Sequence, residues 1–332
     1  MNHFKLNTIS LALATALIAP SAMAETTVYG KAHISVASID DDAGSSTAIS
    51  SHSSRFGVKG TVDTESSTNV FYKLEWQIDV SDDSTNKGIK SRSQYIGMKD
   101  SWGELRLGRD DSPYKKAGKK GVEFFSDTYA DYNNIVDKGQ DTRANSSISY
   151  SNKIGPGKLS LMYATGSDDT DPATGENLGD ASSVSYDMTI GDVRIAIATQ
   201  SINDAKDSNG DHVVGNTETG TKVVLGYKLN KATQFGVLFE TVTDDNDTVD
   251  DTNTIISAKH KIGKDAVKFV YGMKDQGNAN DAVMTALAYD HKLNKSTTTY
   301  AIIASGADDG LNANSKLAGD STVIGGGLVV KF

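Results

Sequence analysis

From Glu25 onward the sequence alternates between apolar and polar side chains, and this period of two constrains the chain more than any other feature. Successive residues of an extended strand point to opposite faces, so the alternation specifies strands with one oily face and one wet face. In the segment 70–80, Val70, Tyr72, Leu74, Trp76, Ile78 and Val80 share one face; Phe71, Lys73, Glu75, Gln77 and Asp79 share the other. Val28, Gly30, Ala32, Ile34 and Val36 oppose Tyr29, Lys31, His33 and Ser35 in the same way, as Val184, Tyr186, Met188 and Ile190 oppose Ser185, Asp187 and Thr189.

The pattern predicts sixteen strands, over 26–37, 53–62, 68–80, 90–99, 104–109, 144–151, 158–165, 182–190, 192–201, 220–229, 233–243, 253–262, 265–274, 282–292, 296–305 and 321–332. In 90–99 the alternation leaves open whether Tyr95 or Ile96 faces outward. The connections alternate in length. Short ones at 100–103, 152–157, 229–232, 263–264 and 293–295 separate long ones at 38–52, 81–89, 110–143, 166–181, 202–219, 244–252, 275–281 and 306–320. Short turns on one rim and long loops on the other are the layout of a membrane-spanning β-barrel, whereas a soluble sandwich has no reason to sort its loops. Helical periodicity is essentially absent, with 110–143 the one place left open for it.

Residues 1–24 differ from the rest. Lys5, an apolar stretch from Ile9 to Ala19, and Ser21-Ala22-Met23-Ala24 have the order of a secretory signal, with cleavage expected after Ala24. The remaining 308 of 332 residues, shared among sixteen strands, give about 19 per strand and connection, enough for a tilted spanning strand of about 9–11. Mean hydropathy is −0.38, and the single apolar run of about a dozen residues is too short to cross a bilayer as a helix. A barrel is compatible with that polarity, because only every second strand residue meets lipid. The net charge of −10 argues against a nucleic-acid partner, and the absence of cysteine excludes disulfides and thiolate chemistry.

The last strand, STVIGGGLVVKF, ends on Phe332, and this terminal aromatic resembles the targeting signal of Gram-negative outer-membrane proteins. A wider resemblance covers the whole chain after Ala24. SRFGVKG (54–60), SRSQYIGM (91–98), WGELRLGR (102–109), DTYADYN (127–133) and RANSSISYSN (143–152), with the long third loop at 110–143, occur in the order found in the general diffusion porins of Gram-negative bacteria. The resemblance implies an all-β, 16-stranded antiparallel transmembrane barrel whose third loop folds into the lumen. It also implies a homotrimer in the outer membrane, bounded by lipid and lipopolysaccharide, passing small hydrophilic solutes and ions without a cofactor. In that family acids on the third loop face a ladder of arginines on the wall. The matching bases here are Arg55, Arg92 and Arg143, and the matching acids are Glu123 and Asp127 in EFFSDT. That stretch departs from the PEFGGD loop of enterobacterial porins, with Val122 for the proline and Phe125 for the first paired glycine. The added Lys115, Lys116, Lys119 and Lys120 put a simple carry-over of cation preference in doubt.

A sixteen-strand lumen is too wide to select solutes unaided. The segment 110–143 carries seven acids and six bases, a balance suited to pairing with charged walls, and Phe124, Phe125, Tyr129 and Tyr132 give it something to pack. The loop 244–252, with five aspartates and no base, is expected to stay in solvent. Arginine suits the facing wall because it is always charged and presents a planar fork. Arg106 and Lys59 share the wet parity of their strands and are weaker candidates for the constriction.

DSNGD (207–211) resembles the start of a calcium loop, but no helix flanks it and Asn209-Gly210 turn chemistry explains it equally well. The acidic loops are open to divalent ions alongside lipopolysaccharide phosphates, or to simple solvation of an exposed rim. The histidines lack metal-ligand spacing, and no nucleophile elbow or paired-carboxylate site stands out, so enzyme activity has no support. Two readings compete with general diffusion: a solute-specific porin of the same barrel class, and a secreted β-rich adhesin. The adhesin needs neither the terminal Phe332 nor the sorted loops.

Overall fold

The computed structural model describes residues 25–81, 88–165, 180–204, 215–277, 281–307, 317 and 320–332. The signal segment 1–24 and DSNGD lie outside the described residues. The strands are β1 (Glu25–Asp41), β2 (Gly44–Ser51), β3 (Arg55–Val62), β4 (Asn69–Gln77), β5 (Lys90–Asp100), β6 (Gly103–Asp111), β7 (Arg143–Ile154), β8 (Gly157–Ala164) and β9 (Ala181–Ile190). They continue as β10 (Val193–Ile202), β11 (Glu218–Lys228), β12 (Thr233–Asp244), β13 (Asp250–Ile262), β14 (Asp265–Asp275), β15 (Ala282–Lys292), β16 (Thr297–Ala307) and β17 (Ser321–Lys331). β2 and β3 both pair with β1, each strand from β3 on pairs antiparallel with the next, and β1 pairs with β17, closing the sheet.

β2 and β3 are one spanning strand broken at 52–54, since both pair with β1, from Ile34 to Asp41 and from Glu25 to Lys31 respectively. Seventeen segments therefore make sixteen spanning strands. Ser53, in the break, adopts φ 48°. The expected long connection at 38–52 is absent: β1 and β2 run on to a tight turn at 42–43, with Ser and Thr residues that look loop-like completing the ladder. Gly44, at φ 111°, makes that turn possible.

A closed sheet satisfies every ladder group internally, which is what a spanning structure in lipid requires. The outward parity is apolar and exposed, as in Leu74, Ile197, Val237, Ile256, Leu287, Ile303 and Ile324. Ile96 belongs to this face at 60% exposure, and Tyr95 points inward beneath the Arg106 guanidinium. Trp102, Tyr150, Tyr227, Phe235 and Tyr289 lie on the outer face near the short turns, the position of an interfacial aromatic girdle. Phe332 completes the seam, exchanging backbone hydrogen bonds with Gly30.

Two outward glycines, Gly30 and Gly60, sit under aromatic side chains. A Cβ on Gly30 collides with the Phe332 ring, and one on Gly60 comes within 2.8 Å of the Tyr72 hydroxyl. They make room for aromatics of their own chain.

Candidate pore constriction

The segment between β6 and β7 supplies the largest buried side chains, Tyr114, Tyr129, Tyr132 and Phe125, because the inner wall alone is too wide to pack against itself. Ser112 accepts the backbone N–H of Lys115 and caps helix α1 (Pro113–Lys119), with Pro113 in the first turn. Arg194 of β10 closes the other end. Its guanidinium donates to the carbonyls of Ala117 (3.0 Å) and Lys120 while pairing with Asp187 at 2.9 Å. A cation on the last carbonyls of a helix satisfies acceptors that have no helical partner.

Beyond α1 the chain crosses the inner face. Ser257 of β13 donates to the Val122 carbonyl at 2.7 Å, and Phe125 lies under the Lys268 ammonium of β14, 5.0 Å from the ring centroid. Gly236 and Gly272 permit this approach: a Cβ on Gly236 meets Val122 Cα at 2.7 Å, and one on Gly272 meets Ile135 Cγ1 at 2.5 Å. Tyr129, Tyr132, Ile135 and Val136 are buried, and Phe124 is partly buried against them. The tip then reaches the first strands. Asp127 pairs with Lys31 of β1 and with Arg55 of β3 at 3.0 Å, and the Tyr129 hydroxyl donates to Ser50 Oγ of β2 at 3.3 Å. His52 stands edge-on to Tyr129, with ring centroids 5.0 Å apart.

A buried ionic cluster fastens the returning limb. The side chain of Lys222 on β11 has no solvent exposure and lies 3.1 Å from Asp141 and 3.2 Å from Glu240 of β12. Tyr114 donates to Glu240 at 2.7 Å, Asn253 and the Asp137 N–H donate to its other oxygen, and Tyr132 donates to Asp141. A lysine buried this deeply is tolerable only because two carboxylates surround it.

The candidate residues separate into two groups. Arg55, Arg92 and Asp127 come together around the tip: Arg92 is bound in the wall by Glu75 at 2.8 Å and by Gln77 at 3.0 Å, and its charge still acts on Asp127. Arg143 and Arg106 lie instead at the root of the loop. Arg143 pairs with Asp111 at 2.9 Å, and Arg106 with Glu104 and Asp110, each at 2.7 Å. Lys59 lies over the Tyr29 ring, 5.4 Å from its centroid. Of the four lysines, Lys115 binds Asp141, Lys116 binds Asp110 and Lys119 binds Asp111, so these three fix the loop more than they charge the pore. The acidic loop 244–252 is partly structural. Asp251 pairs with Lys274, and Asp244 accepts the N–H groups of Thr248 and Val249.

The tip carboxylates have unlike environments. Burial opposes ionisation of Asp127, but Lys31 and Arg55 outweigh it and bring its pKa down to about 2. Burial and the neighbouring Asp127 push Asp131 up to about 6, and burial with Asp131 beside it raises Glu123 well above the ordinary carboxylate range. The residues missed from sequence are Lys31, Arg194, Lys222 and Glu240. Each reads as one more wet-face charge, and the one available signal was its inward parity.

The chain belongs to the Gram-negative porin family, matching it over residues 10–311. It is an outer-membrane channel for passive diffusion, and not an enzyme. An anion-selective porin from Comamonas acidovorans has the same fold, with a TM-score of 0.77 and 21% identity over 93% of this chain and 100% of the other. OmpT, an outer-membrane protein of Vibrio cholerae, superposes with a TM-score of 0.69 and 16% identity, covering 95% and 100%. A mutant of the Rh. blastica porin gives 0.65 and 17%, covering 92% and 100%. No curated protein matches the sequence.

Proposed function

We propose that the segment 110–143 narrows the lumen, and that solutes pass between its tip and the wall carrying Lys31, Arg55 and Arg92. The observation that carries this reading is Asp127 held between Lys31 and Arg55, a loop carboxylate against wall cations 72 residues from Arg55 in sequence. Opposed charges in a narrow, low-dielectric throat set up a transverse field that orients dipolar solutes and disfavours apolar ones. Glu123 sits beside the tip on the acidic side, whereas Arg143, Arg106 and Lys59 add to the field from farther along the wall. Among the described residues the wet faces carry mixed polar residues with no continuous aromatic track, which favours general diffusion over a dedicated solute. The anion selectivity of the Comamonas porin supports a wall whose cations set the sign of the preference.

Cleavage after Ala24 then leaves Glu25 as the first residue of β1. The mature chain forms a homotrimer surrounded by lipid and lipopolysaccharide; a trimer form is recorded for the Vibrio OmpT. A monodisperse monomer by native mass measurement in mild detergent would contradict the trimer.

Replacing Arg55, Arg92 and Arg143 together by glutamine tests the constriction. The reversal potential in a salt gradient shifts toward cations, with Arg55 and Arg92 contributing most of the shift, and the effect shrinks at 1 M salt, where the Debye length is about 3 Å. An unchanged potential at low salt would place these side chains away from the current.

A further inference from the structure

The cations of the lumen are distributed unevenly in a way the constriction does not explain. Around the loop Arg55, Arg92, Arg106, Arg143, Lys115, Lys116 and Lys119 each have a carboxylate partner. At the short-turn end a cavity of about 520 Å³ is lined by Lys99, Lys120, Lys153 and Lys158, and none of these four ammonium groups has a carboxylate within ion-pair distance among the described residues. The cavity's own acids are already engaged. Glu104 binds Arg106 at 2.7 Å, Asp187 binds Arg194 at 2.9 Å, and Asp100 accepts from Ser67 and Thr68 at 2.8 and 2.9 Å.

The register makes the imbalance sharper. Lys153 of β7 stands directly opposite Lys158 of β8 across the hairpin, an arrangement of like charges that costs stability in a sheet. Lys99 of β5 belongs to the same inward parity on the neighbouring hairpin, and Lys120 is delivered from the end of α1, whose carbonyl Arg194 holds in place. Four cations from two hairpins and the loop thus converge on one recess; the register also sets Glu104 opposite Lys99 and Asp187 opposite Lys158, but each of these carboxylates is bound by an arginine, Arg106 and Arg194 respectively.

We infer that this recess is a binding site for small anions bearing two or more negative charges, phosphate being the simplest, on the side of the barrel that the short turns place in the periplasm. A dianion relieves the Lys153–Lys158 repulsion and reaches the remaining ammonium groups at once. A monoanion has half the charge in the same focused field and gains correspondingly less. The site rests on the porin reading, and it gives the channel a stop for polyvalent anions beyond the constriction.

The test is chloride conductance through single channels in planar bilayers, with inorganic phosphate added to either side. At alkaline pH, where phosphate is mainly the dianion, it reduces the chloride current saturably, and more effectively from the short-turn side. At mildly acidic pH, where phosphate is mainly the monoanion and the lysines keep their charge, the block weakens. In the Lys99→Gln, Lys153→Gln, Lys158→Gln variant, whose folding is checked by heat-modifiable migration, the blocking concentration rises about tenfold. The Lys153→Gln, Lys158→Gln pair alone gives an intermediate value. Phosphate that blocks variant and wild type equally, or that changes the current only as bulk conductivity does, would overturn the site and leave the porin reading intact. Failure of the porin reading shows up differently, as a wild type with no chloride conductance at all.

Discussion

Replacing Lys222 by methionine keeps most of the side-chain volume and removes the one cation shared by Asp141 and Glu240. All three side chains are essentially unexposed, so the two carboxylates are left facing each other in the wall. Breaking a buried pair in this way costs about 3–5 kcal/mol. Lys115 remains 3.1 Å from Asp141, and Tyr114 and Asn253 still donate to Glu240, which places the expected cost at the lower end. The strands are held by backbone ladders that this change does not touch, so the strain falls on the docking of the loop. About 3 kcal/mol favours the released loop about a hundredfold. Single-channel recordings should therefore show high-conductance openings about a hundred times more often, and trypsin should cut at Lys115, Lys116, Lys119 or Lys120 in the intact barrel, where the wild type resists. Adding Glu240→Gln and Asp141→Asn removes the stranded charges and should restore quiet channels. Wild-type currents and full protease resistance in Lys222→Met, with normal heat-modifiable migration, would refute the idea that this cluster holds the loop.

Other outcomes follow from the same contacts. Gly236→Val places a branched side chain where Val122 Cα already lies 2.7 Å from a Cβ position, so it should displace the loop and raise conductance, as seen in single-channel currents. Asp131 has its pKa raised to about 6, so acidification from pH 7 to pH 5 protonates it and removes a negative charge from the tip, while Asp127 stays ionised. Reversal potentials should move toward anions over that range, and the change should shrink in Asp131→Asn. Because the raised value means the docked loop prefers the protonated acid, the Asp131 contribution to docking is complete below its ordinary pKa and is lost as pH rises through about 6, whereas the Asp127 ion pairs act in the opposite sense and stay intact between pH 5 and pH 7; protease sensitivity of the loop over that range reports the Asp131 contribution. Deleting Phe332 takes away the chain's last backbone bonds to Gly30, and should lower the yield of heat-modifiable barrel.

The barrel was legible in the sequence because lipid and water impose a period of two on each strand. Where both of two neighbours are apolar or amphipathic, as at Tyr95 and Ile96, the period has no contrast and the facing is settled by the exposure of Ile96 and by the Arg106 guanidinium over the Tyr95 ring. The stretch 38–52 read as a loop since serine, threonine and aspartate favour turns, yet a closed ladder and one glycine at φ 111° suffice to make it a hairpin. Asp127 and Arg55 were legible from their motifs. Lys222 was not, because its partners Asp141 and Glu240 meet it only after the loop has crossed the barrel. Gly236 and Gly272 look like weak points of their strands, and their purpose appears only when Val122 and Ile135 are seen against them.

The placement of the loop tip against the basic wall is the claim on which the rest depends, and cysteines at Asp127 and Arg55 test it without interference, since the chain has none of its own. The side chains they replace are 3.0 Å apart. A short bifunctional thiol crosslinker added to the folded double variant in detergent should join them, giving a band of altered mobility after denaturation, with channels that still conduct. Efficient labelling of both thiols without any crosslink would place the loop away from the wall and contradict the account.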